Sequence, residues 1–347
     1  MKESAICIIG AGGIVRDAHL PAYGLAGYQV AGITDLNLNL AEDLATKHQI
    51  NLFKSLSEMV EKFGDKVIYD IAVPGDAVMA VLQQIPDGSH VLIQKPMGNN
   101  WQQANEILNL CRKKKLVAGI NFQLRYAPNI QKARALIDLG KIGDLCEIEV
   151  NIDVYTPWHL WKFLYELPRV EILYHSIHYI DMVRSFVGNP KRIFAKTTKH
   201  PKMADLASVR SNIIMDYGDW MTANIRTNHA HDFGIKNQQS YIKFEGTEGA
   251  IKLGIGLLKD YPIGVADSFE WISKIDPVAN EWKEEKIEGV WFPHAFIGSM
   301  AEIQKAVKDP NYQPDNSVED CIHTMACVEA AYDSSQFGGK VFSEYNL

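Results

Sequence analysis

Lys95, within Gln94-Lys95-Pro96, directly follows the apolar run His90-Val91-Leu92-Ile93. An amine at the C-terminal end of a strand lies where open α/β sheets hold their ligands, so a chemical role is expected of it. With a reference pKa of about 10.4, lysine needs desolvation or a nearby positive charge to act as a base. Otherwise it serves as a cation that orients a hydroxyl and stabilises a developing alkoxide. Two histidines, His175 and His178, stand three residues apart in an apolar helical stretch, with Tyr174 beside them. Imidazole, with a reference pKa of about 6.5, exchanges protons at neutral pH. No other His/Asp/Glu set has compact ligand spacing, so no metal is expected.

A glycine-rich turn is the second chemical signal. Gly10-Ala11-Gly12-Gly13-Ile14-Val15 follows the apolar run Ile6-Cys7-Ile8-Ile9 and opens a helix. Gly10 and Gly12 match the positions that permit a tight turn and a close backbone approach to a pyrophosphate. Val15 stands where that fingerprint asks for glycine or alanine, a departure expected to loosen helix–strand packing and leave the phosphate contact alone. Asp35 ends the next apolar run, where it would accept hydrogen bonds from ribose hydroxyls and repel a 2′-phosphate. Leu36 and Asn37, not an arginine, follow it. Gly10, Gly12, Gly13, Ile14 and Asp35 are therefore the expected dinucleotide contacts, with NAD favoured over NADP.

These residues need a scaffold that gathers strand ends. Short apolar runs at 6–9, 30–33, 67–73, 91–93 and 116–120 alternate with helical patterns, as in a parallel sheet buried on both faces. Ser55-Leu56-Ser57-Glu58 reads as a capping box. Residues 100–115 read as a helix with Ala104, Ile107, Leu108 and Cys111 on one face. Beyond residue 121 the pattern changes. A helix over 129–139 ends at Gly140, and 145–154 alternates apolar and polar residues as a half-exposed strand does. Further strands are expected at 191–198, 208–216, 220–228 and 240–253, with helices near 169–187, 295–308 and 317–335. The fold expected is an N-terminal Rossmann dinucleotide-binding domain over 1–121, then an α+β domain over 122–347 with a large, mostly antiparallel open sheet. The last helix can return to the first domain. The open sheet face calls for a homodimer or homotetramer.

A chain of 347 residues with a net charge of −7 argues against a general nucleic-acid binder and against an anionic membrane surface. The run Arg112-Lys113-Lys114-Lys115 ends a predicted helix, where it complements the dipole. No apolar stretch is long enough to span a bilayer, and the N-terminus lacks a signal-peptide pattern. The five cysteines show no paired spacing and read as reduced thiols of a cytoplasmic protein.

A wider set of motifs carries a family resemblance. Gly10-Ala11-Gly12 with His19-Leu20-Pro21-Ala22, then Tyr69-Asp70-Ile71-Ala72-Val73-Pro74 and Gln94-Lys95-Pro96, come in order. Asn121 with Arg125-Tyr126-Ala127-Pro128, Phe244-Glu245-Gly246-Thr247-Glu248-Gly249 and Glu329-Ala330-Ala331-Tyr332-Asp333-Ser334 follow. This order resembles the glucose–fructose oxidoreductase / inositol dehydrogenase / MocA (Gfo/Idh/MocA) family across nearly the whole chain. The resemblance implies an NAD(P)-dependent oxidoreductase moving hydride between nicotinamide and a carbinol carbon of a sugar, sugar acid or cyclitol. It implies a catalytic Lys95 and cofactor contacts from Val73, Pro74, Gln94 and Lys162. It also implies a catalytic histidine at His178, in an Asp-x-x-x-His pattern whose aspartate position is held here by Tyr174. His175 is the neighbour able to share that role. Gln94 stands where the family has glutamate, which removes a negative charge beside Lys95. Arg125, Tyr126, Trp158 and His229 are the candidate substrate contacts. The same resemblance admits an NAD-dependent glycosidase, or a non-catalytic regulator that binds NAD and sugar.

Overall fold

The computed structural model describes residues 3–338. The first apolar runs form a parallel sheet of β1 (Ile6–Ile9), β2 (Val30–Thr34), β3 (Asn51–Leu52), β4 (Ile68–Ile71), β5 (His90–Gln94) and β6 (Val117–Asn121). Their order is β3-β2-β1-β4-β5-β6, and it reverses at β1 and β4, so the chain leaves these two strands in opposite directions and opens a crevice at their C-terminal ends. β1 and β4 are buried at every residue, which explains their apolar character, Asp70 on β4 being the exception. The two-residue β3 is too short to register as a pattern in the sequence.

Helices α1 (Leu20–Ala26), α2 (Leu38–His48), α3 (Leu56–Phe63), α4 (Val78–Gln84) and α5 (Trp101–Lys113) link these strands. The capping box holds. Ser55 Oγ accepts from the Glu58 N–H at 3.2 Å, while the Glu58 carboxylate turns back to the Lys54 N–H at 2.9 Å. α5 buries Ala104, Ile107, Leu108 and Cys111 as its periodicity requires. Val15 is fully buried in the core with Ile6, Ile8 and Tyr23. The turn that contains it, Val15–His19, is wound as a π-helix before α1 begins.

The second sheet is built around β7 (Leu145–Asp153), which follows α6 (Pro128–Asp138). Ile148, Val150 and Ile152 are buried, and the residues between them are not. A π-turn at Ile172–Ser176 then runs into α7 (Ile177–Val187). The remaining strands are β8 (Arg192–Thr198), β9 (Arg210–Asp216), β10 (Thr222–Asn228), β11 (Gln239–Gly246), β12 (Gly249–Gly254), β13 (Ser268–Ser273) and β14 (Lys283–Glu284). The order is β14-β13-β12-β11-β7-β10-β9-β8, antiparallel except where β10 pairs with β7. The single strand expected at 240–253 is a hairpin, β11 and β12. Its turn must pass close to other backbone, since a Cβ on Gly246 would lie 2.2 Å from the Ile142 carbonyl oxygen. On the polar face, the Lys243 ammonium lies 3.7, 3.5 and 3.0 Å from the carboxylates of Glu147, Glu149 and Glu245.

The chain closes with α8 (His294–Lys308) and α9 (Val318–Phe337). It divides into two compact units. One runs to Pro128 and takes in Gly289–Met325, and the other comprises Asn129–Glu288 and the chain from Ala326 onward. The compact units part at 128/129, and neither is contiguous in sequence. The reason is packing. Phe296, Met300 and Ile303 of α8 complete the core around β1, and the following segment pairs with β6 through Ile120 N–H to the Asn316 carbonyl at 2.8 Å. No helix among the described residues is long and apolar enough to cross a membrane.

Phe244, fully buried on β11 with its ring 4.7 Å from that of Phe186, anchors the second core. Phe244→Ala is expected to lower the unfolding free energy of the second unit by about 3–5 kcal/mol, read from urea denaturation. A loss below about 1 kcal/mol would show that this core does not depend on it.

Candidate functional site

In the first unit the chemistry gathers at the ends of parallel strands. Gly10 has φ +110°, and a Cβ there would lie 2.2 Å from the Ala72 carbonyl oxygen, so only glycine lets the chain leave β1 against the end of β4. A Cβ built on Gly12 would meet nothing within 4 Å, and the residue is exposed, leaving its backbone open to a ligand. Asp35 ties this turn down: one carboxylate oxygen accepts the Ala11 N–H at 2.6 Å and the other the Asn37 N–H at 2.7 Å. A carboxylate has about four acceptor positions, so ribose hydroxyls can still bind. A Cβ on Gly13 would lie 3.8 Å from the guanidinium of Arg16, which pairs with Asp17. Ile14 packs on the core, Val73 is half-buried and Pro74 exposed. The turn, the carboxylate and the open glycine together fit a dinucleotide.

Gln94 and Lys95 end β5 beside a buried hydrogen-bond chain. Asp70, at 0% exposure, accepts from the Tyr23 hydroxyl at 2.7 Å and faces His19 Nδ1 at 2.7 Å. A carboxylate only accepts, so His19 carries its proton on Nδ1. Asn121 Nδ2 then lies 3.3 Å from His19 Nε2 and donates to Gln94 Oε1 at 2.9 Å. Burial pushes the Lys95 amine down to about 8, because the charged form loses more hydration than the neutral one. His19, Asp70 and Asn121 were quoted above only as motif residues. The signal that could have singled them out is polarity within otherwise apolar runs.

Arg125 and Tyr126 have other partners in the same unit. The Arg125 guanidinium donates to the Asp320 carboxylate at 2.6 Å and to the Asp315 carbonyl at 2.7 Å. The Tyr126 hydroxyl donates to the Asp315 carboxylate, and burial, then Asp315, push its pKa well up. Both side chains fasten the segment between α8 and α9 to the end of β6.

In the second unit the π-turn separates residues that an ideal α-helix would stack. Tyr174 goes to an apolar cluster with Trp158, Leu164 and Val170, its ring 5.8 Å from that of Phe163. His175 is half-buried, with its ring 4.7 Å from Trp158 and 4.5 Å from His229. His178 is buried on α7, and Lys162 opens a short 3₁₀ turn. His229 Nδ1 lies 2.8 Å from the Thr156 hydroxyl, and its Nε2 lies 3.4 Å from the Glu171 carboxylate. Glu171 is fully buried and accepts from Ser176 Oγ at 2.8 Å and from Ser211 Oγ. Burial alone would raise its pKa, yet His229 and the two serine hydroxyls hold it below the ordinary carboxylate range. Sequence reasoning assigned nothing to Glu171, because its partners lie on β9, on the chain beyond β10 and five residues ahead on its own helix.

These features define the class: an oxidoreductase with an NAD-binding Rossmann fold. Residues 5–122 match the oxidoreductase family, NAD-binding Rossmann fold, and residues 130–252 match the GFO/IDH/MocA C-terminal domain. The chain belongs to the GFO/IDH/MocA family of oxidoreductases. It is similar to a 1,5-anhydro-D-fructose reductase of Ensifer adhaerens, 26% identical over 263 residues, covering 74% of this chain and 77% of the relative. A crystal structure of an Agrobacterium radiobacter oxidoreductase in complex with NAD+, L-tartaric acid and magnesium superposes with TM-score 0.79 at 19% identity, over 97% of this chain and 98% of that one. An oxidoreductase of Desulfitobacterium hafniense described as NADPH-dependent superposes with TM-score 0.77 at 14% identity, over 97% and 96% of the two chains.

The lowered Lys95 pKa has a stability consequence. Its folded value, about 8, lies below the unfolded value near 10.5, so the unfolded chain binds more protons between these pH values and stability rises with pH across them. The cost of burying the ammonium is fully present below pH 8 and gone above about 10.5. Lys95→Met is therefore expected to stabilise the protein by about 1–3 kcal/mol at pH 7, and the gain should vanish near pH 10.5. A pH-independent gain would assign it to packing instead.

Proposed function

We propose that this chain is an NAD-dependent dehydrogenase that moves hydride between nicotinamide and a carbinol carbon of a sugar, sugar acid or cyclitol. The observation that carries the reading is Lys95, a half-buried lysine with its pKa brought down to about 8 by desolvation, following β5 in a Rossmann sheet. A bound nicotinamide dinucleotide supplies the hydride acceptor or donor. What the chain supplies is a hold on the substrate oxygen and a place for its proton. In the oxidative direction the carbinol C–H bond breaks with its electron pair leaving as hydride. The O–H proton passes to a protein base and a carbonyl remains. A lysine near pKa 8 is partly neutral at pH 7 to 8, so Lys95 can take that proton and give it back. His178 and His175 are imidazoles suited to the same exchange. Trp158, buried in the apolar cluster, backs the His175 ring at 4.7 Å. NAD is favoured over NADP because Asp35 places a negative charge at the end of β2 and exposed Leu36 and Asn37 add no cation to hold a 2′-phosphate. The same reading assembles copies through the polar face of the second sheet, which sedimentation tests; a monomer at working concentration refutes it.

NADH formation across a panel of polyols, aldoses and sugar acids tests the reaction. NAD binding without turnover on any of them would favour the regulator, and sugar release without net NADH the glycosidase. Lys95→Ala should lower kcat by about 10²–10⁴-fold while leaving the NAD dissociation constant within about threefold. Near-normal turnover would remove Lys95 from the chemistry. Asp35→Asn should shift the NADP-to-NAD preference toward NADP by about tenfold, measured as a ratio of dissociation constants. An unchanged ratio would show that the carboxylate does not select the cofactor.

A further inference from the structure

The hydrogen-bond chain that ends at Gln94 has a direction, and its buried end sets it. Asp70 is a carboxylate without solvent exposure and only accepts, so His19 Nδ1, which faces it at 2.7 Å, carries a proton. The other nitrogen of a neutral imidazole holds a lone pair and needs a donor. Asn121 supplies it, with Nδ2 3.3 Å from His19 Nε2. A proton on Nε2 as well would set donor against donor. The second hydrogen of the same amide nitrogen goes to Gln94 Oε1 at 2.9 Å. Asn121 Oδ1 is left buried without a partner, so this orientation is imposed from the His19 side. An amide that accepts through its oxygen at Asn121 turns its nitrogen, a donor of two hydrogens, the other way. Gln94 is only half-buried, and that nitrogen is open to a ligand.

The position of Gln94 in the sheet says which ligand group meets it. A sheet of order β3-β2-β1-β4-β5-β6 consists of two mononucleotide-binding halves, and a dinucleotide lies across both. In the first half Thr34 pairs with Ile9 at the end of β1, and Asp35 is the next residue. In the second half Ile93 pairs with Ile71 at the end of β4, and Gln94 is the next residue. The two side chains hold equivalent places. Asp35 is placed for the hydroxyls of the adenosine ribose. Gln94 is placed, by the same geometry, for those of the ribose in the nicotinamide half. A carboxylate such as Asp35 only accepts from a hydroxyl, whereas Gln94, as the chain orients it, donates to one.

We propose that Gln94 is the hydrogen-bond donor to the ribose of the nicotinamide half, and that Asp70, His19 and Asn121 are positioning residues that fix its polarity. The proposal rests on the dinucleotide part of the dehydrogenase reading and deepens it. A carboxylate at position 94 could take the Asn121 bond, but it would offer the ligand acceptors only. The glutamine keeps the bond to Asn121 and reverses what faces the ribose.

The test begins with ¹⁵N spectra of the unsubstituted protein. His19 should show a protonated Nδ1 and a bare Nε2; a proton on Nε2 overturns the chain. The Gln94 side-chain amide signals should shift and exchange more slowly with NAD+ or ADP-ribose bound, and stay unchanged with ADP, which lacks the second ribose. Gln94→Met, similar in size but without a donor, should weaken NAD+ and ADP-ribose about tenfold by calorimetry, and ADP less than about twofold. A loss for NAD+ alone would assign the donor to the nicotinamide ring, and an equal loss for all three would make Gln94 structural. Either result, or no loss at all, sinks the proposal. Asn121→Ala should weaken NAD+ and ADP-ribose in the unsubstituted background, yet add less than about twofold to Gln94→Met, because it acts through Gln94. Additive losses refute the positioning role. Where Asn121→Ala does not fold, the His19 and Gln94 spectra decide. Normal turnover of a polyol with ADP-ribose affinity untouched by Gln94→Met fails this proposal and leaves the dehydrogenase reading. The full Gln94 effect without turnover of any polyol fails that reading and leaves the donor in place.

Discussion

The first unit is organised around one desolvated carboxylate. Asp70 sits in the middle of β4, between β1 and β5, with no exposure to solvent. Removing a carboxylate from water costs several kcal/mol unless donors replace the lost hydration. Those donors come from the π-turn and α1, as His19 and Tyr23. The helix that follows the glycine turn is therefore pinned to the sheet by a polar contact as well as by Val15 in the core. From His19 the chain of hydrogen bonds continues through Asn121 on β6 to Gln94 on β5. The middle of β4, the ends of β5 and β6 and the π-turn before α1 are thus joined by a single network, and Lys95 follows Gln94. Within such a network each bond has more weight than on the surface, because an unfilled position there has no water to turn to.

The second unit repeats this solution with different residues. Glu171 is its buried carboxylate, His229 its imidazole, and serine hydroxyls take the place of the Tyr23 phenol. In both units a π-turn is involved: His19 closes one and Glu171 precedes the other. A π-turn has poorer geometry than an α-turn and persists where tertiary contacts hold it, often at functional sites. The two pairs differ in alignment. His19 and Asp70 meet at 2.7 Å, whereas His229 and Glu171 are 3.4 Å apart. The first is a tight structural clamp. In the second the imidazole stands farther from its carboxylate, with Nδ1 2.8 Å from the Thr156 hydroxyl.

Much of the architecture was legible because it rests on local periodicity. The buried strands of the first sheet read as unbroken apolar runs, β7 as strict alternation, and α3 and α5 through their caps and apolar faces. What stayed illegible depends on distant partners. The return of α8 to the first core is written only in the fit of Phe296, Met300 and Ile303 against β1. The split of 240–253 into two strands turns on Gly246 and Gly249, which read equally well inside a strand until neighbouring backbone is in place. β14 is too short to carry a period. At the candidate site, Lys95, Gly10 and Asp35 announced themselves by type and position. Glu171 did not, since helical spacing predicts contacts three and four residues away and its helical partner is the fifth. The π-turn also parts Tyr174 from His175: one ring packs against Phe163 in an apolar cluster and the other lies against His229.

The departure at Gln94 takes on a definite physical sense beside the Lys95 environment. A glutamate there would add a negative charge next to the lysine and favour the ammonium, opposing the effect of burial. The glutamine is neutral, and its oxygen is already committed to Asn121. Burial is then the dominant influence on Lys95, and it moves the amine toward neutrality at physiological pH. A permanently charged lysine can orient a hydroxyl and stabilise an alkoxide, but it cannot accept a proton. A lysine balanced between its two forms can do both in turn. An amide in place of a carboxylate thus leaves desolvation as the main influence on this amine and favours its neutral form.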